Sequence, residues 1–285
     1  MFLISYELQN SASKLEKLIN RWAADTVRAP PAPLRELHDA AASDILGSAD
    51  DFAQKTVTPM VVQNLLRHAM ADTISEGIIN CLIVTSSSEA NVQLTRIHEH
   101  LFARDPTVAC VWRRQTFTAA VENCSPEMSA QILQECMPTL AELFAAKDGS
   151  MGLVEPCNAI LDAGYNFSRM LHGSNAASGG VTDTFYRAFV PELGSNLYPS
   201  QLELIKRCMM SERNVPCKVG ATVFPGLVKV SKPLAVAEGQ SATETTQTVV
   251  RRAQVICECA LRPPMGAPPP GGLDSQFMGP HPHVA

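Results

Sequence analysis

The stretch TETTQTVVRRAQVICECALR (Thr243–Arg262) decides how the chain is classified. At a period of 3.6 residues, Val249, Ala253, Ile256, Cys257 and Ala260 share one side, and Arg251, Gln254, Glu258 and Arg262 share the other. That pattern predicts an amphipathic helix, and with it the chain reads as helical almost from end to end.

The same period recurs upstream. A first helix is expected over Ala12–Val27, with Leu15, Leu18, Ile19 and Trp22 on one stripe, stopped by APPAP (Ala29–Pro33). A second runs from Leu34 to Leu46, and Ser48 or Asp50 caps a short third one. Thr58–Pro59 opens a longer helix through Val62, Leu65, Leu66 and Ala69. SSSE (Ser86–Glu89), Asp105–Pro106 and Ser125–Pro126 are three further helix starts, and Pro138 predicts a kink or a break within the last of these helices. A helix over Pro156–Leu171 stops at His172–Gly173, before GSNAASGG (Gly173–Gly180), which is expected to be a loop. Thr182 or Asp183 starts a short helix with Phe185, Tyr186, Phe189 and Val190, and Tyr198–Pro199 opens another with Leu202, Ile205, Cys208 and Met209. Only VGATVFPGLVKV (Val219–Val230) departs, predicting two extended segments about a Pro225–Gly226 turn, a hairpin at most. The expected fold is therefore all-α, with one helical domain over 34–262. An N-terminal helix and Pro-rich break over 1–33 precede it, and a disordered Pro/Gly-rich tail over 263–285 follows.

Bulk composition narrows the function classes. The 285 residues are 46% hydrophobic and 18% charged, against about 25% charged in a typical soluble domain. Such a surface is expected to be covered in part by a partner or a second copy. With 23 Lys+Arg against 28 Asp+Glu, the net charge of −5 supplies no general field for nucleic acid. No apolar run approaches the roughly 18 residues that span a bilayer. The longest, GIINCLIV (Gly77–Val84), is expected in a protein core. The start lacks a basic region ahead of its few apolar residues, so no signal peptide is expected. Nine cysteines without a CxxC motif read as reduced, buried small hydrophobes in the nucleus or cytoplasm.

Candidate chemistry is sparse. RIHEHLF (Arg96–Phe102) places two histidines around a glutamate, but residues two apart on a helix diverge by about 200°. His98 falls on the apolar stripe with Leu94, Ile97, Leu101 and Phe102, and His100 falls off it, so no chelate forms. Cys257 and Cys259 diverge on a helix by the same rule. There is no GxSxG elbow and no phosphate loop. No catalytic, cofactor or metal residue is assigned. An enzyme would need a deep pocket holding two or three of His68, His98, His172 and Glu99. What remains is a candidate interaction surface at Trp112, Arg113, Arg114, Arg251 and Arg252, since Trp and Arg are enriched at interfaces.

HEHLFARDPT (His98–Thr107), VWRRQTF (Val111–Phe117), NFSRMLHG (Asn166–Gly173), FYRAFVPEL (Phe185–Leu193) and VVRRAQVICECAL (Val249–Leu261) together resemble the helical, non-DNA-binding regions of filamentous-fungal transcription-regulator-like proteins. The likeness spans about residues 75–262 and lacks any basic region or zinc cluster. It implies a nuclear or cytoplasmic regulatory module that acts through a protein partner or homodimerisation, with the DNA-binding half missing or supplied by another chain. The expected function is thus a non-catalytic interaction module. The alternatives are a self-assembling coat or nucleoprotein-like protein, or a helical enzyme with a site built from scattered residues.

Overall fold

The computed structural model describes residues 2–47, 57–119, 125–145, 151–173, 184–206, 217–232 and 245–261. The helices are α1 (Phe2–Arg28), α2 (Leu34–Leu46), α3 (Pro59–Ile74), α4 (Ser88–Arg104), α5 (Pro106–Ala119), α6 (Pro126–Cys136), α7 (Pro138–Ala145), α8 (Met151–Gly173) and the single turn α9 (Glu258–Leu261). A π-turn, Ser75–Ile79, extends α3. The strands are β1 (Thr184–Phe189), β2 (Leu202–Lys206), β3 (Val219–Phe224), β4 (Gly226–Ser231), β5 (Thr246–Arg251) and β6 (Ala253–Cys257).

The fold is mixed, and this corrects the all-α expectation. Two three-stranded sheets, ordered β1-β4-β5 and β2-β6-β3, accompany the helices. The segments expected as helices at Phe185–Val190 and Leu202–Ile205 contain strands β1 and β2. The deciding stretch forms β5 and β6, with only Glu258–Leu261 helical among its described residues. Its β-branched residues, Thr246, Thr248, Val249, Val250, Val255 and Ile256, fit a pleated surface better than a helix.

The two extended segments of Val219–Val230 do form, but not as a hairpin. β3 pairs with β6, whereas β4 pairs with β1 and β5. Single residues, Pro225 and Arg252, carry the chain from one sheet to the other. The two changeovers meet at Gly226, where an added Cβ would lie 2.2 Å from Cζ of Phe189 and 2.9 Å from the Ala253 nitrogen. Strands that bend from one sheet into another are the usual way sheets turn a corner.

The helical half follows its sequence signals. Thr58, Ser87 and Ser125 accept hydrogen bonds from Val61, Ala90 and Met128 and cap α3, α4 and α6. Pro138 breaks α6 from α7, as expected. Pro156 lies inside α8, within its first two turns. The core is built on α3: Val62, Leu65, Leu66 and Met70 pack with Leu15, Ile19 and Trp22 of α1, Leu37 of α2, Leu161 and Tyr165 of α8, and Phe224 of β3. The expected caps at Ser48 and Asp50, the loop after Gly173 and the Pro/Gly tail lie outside the described residues. Among the described residues, no helix is long and apolar enough to cross a membrane.

Candidate functional site

Among the described residues, three places bring chemistry-bearing residues together: the buried histidines, the exposed side of α4 and α5, and the edge where β3 meets β6.

RIHEHLF lies in α4, with His98 fully buried and His100 exposed, as the helical spacing requires. Phe185 of β1 meets the His98 ring edge-on at 5.0 Å, Phe102 stacks on it at 6.0 Å, and Trp112 of α5 lies at 6.4 Å. Arg113 donates from Nη1 to His98 Nε2 at 2.9 Å and from Nη2 to the Thr184 carbonyl at 2.9 Å. A guanidinium has no acceptor, so Nε2 is the acceptor and His98 is neutral with its proton on Nδ1. Burial, then the charges of Arg113 and Arg187, push the His98 pKa down to about 3. His172 of α8 reaches the Ile79 carbonyl at 3.2 Å; burial, then Arg113, push it down to about 3 as well. His68 of α3 accepts the Thr222 N–H at 3.0 Å where the β3–β6 ladder slips, and burial lowers it to about 4. All three histidines are neutral ties between helix and sheet or helix and turn.

An open cleft of about 570 Å³ lies between α4, the π-turn and β1, lined by Glu76, Asn80, Thr95, Arg96, Glu99 and Arg187 among others. Glu99 and Arg187 form an ion pair across it. Of His68, His98, His172 and Glu99, only Glu99 lines this cleft. Asn80 is occupied with structure: its Oδ1 accepts the Ala188 N–H at 2.8 Å and its Nδ2 donates to the Ala188 carbonyl at 3.2 Å, pairing with β1 as a strand would.

The five residues of the expected interaction surface separate. Trp112 and Arg114 are half-buried on α5, and Arg113 is turned inward. Arg251 lies over the Phe224 ring at 4.6 Å and pairs with Glu16 of α1 at 3.3 Å. Arg252, exposed at the changeover between sheets, donates to the Pro199 carbonyl at 3.3 Å and lies 3.8 Å from Glu203. The geometry instead leaves apolar side chains in water on α4 and α5: Ile97 is 46%, Val108 49% and Val111 40% exposed, and Leu94, Leu101 and Trp112 beside them are half-buried. Ile97 lies three and four residues from Leu94 and Leu101, and Val108 three and four from Val111 and Trp112, so each set shares one side of its helix.

At the third place, β3 and β6 run antiparallel with Val219 opposite Cys257. The Glu258 N–H donates to the Lys218 carbonyl at 2.9 Å, which continues the register by one residue and brings Cys217 opposite Cys259. Cys257 ends β6 and Cys259 lies in the turn of α9, so the chain changes direction between them and the two side chains are not set on opposite sides of one continuous helix. Their sulfurs are 3.3 Å apart, and Cys217 Sγ is 3.4 Å from Cys259 Sγ. This corrects the divergence expected of a helical Cys257-x-Cys259.

No family model matches the chain, and no curated protein or solved structure matches it. The fold and its surfaces therefore define the class by themselves: a mixed fold of helices and two small three-stranded sheets, with apolar side chains exposed on α4 and α5.

Proposed function

We propose that the protein is a non-catalytic interaction module whose working surface is the outer face of α4 and α5. The observation that carries this reading is the trio Ile97, Val108 and Val111, each at least 40% exposed on two neighbouring helices. Single exposed apolar residues need no explanation, but aligned stripes on packed helices are the kind of surface a partner covers. The half-buried Trp112 at its margin is the residue type that anchors such contacts. The low fraction of charged residues favours the same reading. The occupant is a second copy of the chain.

The resemblance to regulatory regions of fungal transcription-regulator-like chains supports a setting in the nucleus or cytoplasm, with the DNA-binding half missing or supplied by another chain. The enzyme alternative has less support, because the buried histidines are committed to holding elements together and do not line the open cleft. The test is the solution mass of the intact chain and its response to Val111→Glu. Large uniform particles would favour the coat-like alternative over a regulatory dimer.

A further inference from the structure

We propose that Cys217, Cys257 and Cys259 form a binding site for a thiophilic metal ion, zinc in the first instance. The three sulfurs come from the entry to β3, the end of β6 and the start of α9, and all lie within 4.8 Å of one another. Zinc holds thiolates at about 2.3 Å, so tetrahedral ligands stand roughly 3.8 Å apart. Contacts of 3.3 and 3.4 Å need only small outward movements of the side chains to admit an ion. They are also far longer than the roughly 2.05 Å of a disulfide, so the sulfurs touch without being joined.

The backbone is shaped for this convergence. Gly220 sits where any Cβ would lie 2.7 Å from both the nitrogen and the Cα of Glu258. Only glycine lets β3 press against the Cys257–Cys259 segment that closely, and that approach brings Cys217 over the other two thiols. Cys257 is fully buried, whereas Cys217 and Cys259 are half-buried. The site is thus rooted in the protein and open on one side. Three sulfur donors select a soft or borderline ion over magnesium or calcium, which take oxygen ligands. Three protein ligands leave the fourth tetrahedral position to water or to a donor carried by another molecule. Binding replaces three thiol protons by one ion, so the affinity weakens as pH falls.

The test is to purify the intact chain with its thiols reduced, add zinc, remove unbound ion and measure zinc per chain. Cobalt substitution, read by thiolate-to-cobalt charge-transfer absorption, reports sulfur ligation directly. The expected result is one equivalent of zinc, a cobalt–thiolate band and a raised unfolding temperature with zinc. All three are lost in Cys217→Ser and Cys259→Ser and kept in Cys81→Ser, whose thiol lies elsewhere, against the π-turn. Circular dichroism of each variant without metal shows that it folds. The proposal is overturned if folded Cys217→Ser and Cys259→Ser bind as much zinc as the native chain. It is equally overturned if the reduced native chain binds none, including the case where the only chemistry found is a Cys217–Cys259 disulfide formed in air.

Discussion

Nη1 of Arg113 lies 2.9 Å from Nε2 of His98, with both side chains buried beneath the α4–α5 pair. The same guanidinium holds the first residue of β1 through the Thr184 carbonyl. One side chain therefore joins two helices to a sheet. Arg113→Met leaves Nε2 and that carbonyl without their donor, and is expected to cost about 3 kcal/mol. Urea unfolding of the variant against the native chain measures it; a loss of under about 0.5 kcal/mol, the range of an ordinary surface change, would show the tie to be idle.

Acid should destabilise the fold well before the carboxylates titrate. His68, His98 and His172 are held near 4, 3 and 3 in the folded chain, below the roughly 6.5 of an exposed histidine. Their contribution to stability is complete above pH 6.5. It declines as pH falls from there toward 3, because the unfolded chain takes up the protons first. Each histidine contributes a slope of roughly 1.4 kcal/mol per pH unit once its titration is under way. Unfolding midpoints that stay flat between pH 7 and 5 would contradict this.

Asp44, near the end of α2, accepts the N–H groups of Thr139 and Leu140, each at 2.9 Å. It caps the first turn of α7 from a different helix, next to Pro138, which has no N–H to offer. Asp44→Ala is expected to lower stability by about 1–2 kcal/mol, and Asp44→Asn by less. Thermal melts of the two variants give the order; equal losses would assign the effect to something other than the cap.

Gly226→Ala tests the corner between the sheets. The new methyl meets the rigid Phe189 ring and the Ala253 backbone at once, so no single side-chain rotation relieves it. The expected cost is about 1–3 kcal/mol, with Gly47→Ala as a comparison, where a methyl meets open space and only the left-handed backbone, φ 73°, resists it. A Gly226→Ala chain as stable as the native one would mean that the two changeovers do not meet as described.

The helices were legible because their signals are local. Thr58–Pro59, Ser87, Ser125–Pro126 and Pro138 set boundaries through hydrogen bonds and sterics within one turn. The strands were not, because their partners are remote: β1 lies some forty residues from β4, and β2 about fifty from β6. For Thr246–Cys257, a helical stripe and a strand alternation coexist in the same letters. Ala253, Val255 and Cys257 are all fully buried, at a period of two that outweighs the helical face. The density of β-branched residues there was the available signal. The thiol cluster depends on the same point: one helix through both would set Cys257 and Cys259 on opposite sides, whereas a strand that ends at Cys257 and a turn that begins at Glu258 let their sulfurs meet. Trp and Arg are the residue types enriched at interfaces, but a guanidinium with buried acceptors turns inward, as Arg113 does.

The most direct test of the interaction reading is the mass of the intact chain by light scattering, native against Val111→Glu. The account predicts a native particle of twice the chain mass, and a folded, single-chain species when a carboxylate is placed between Val108 and Trp112. A native chain that is already monomeric, or a Val111→Glu variant that assembles as the native chain does, would contradict it.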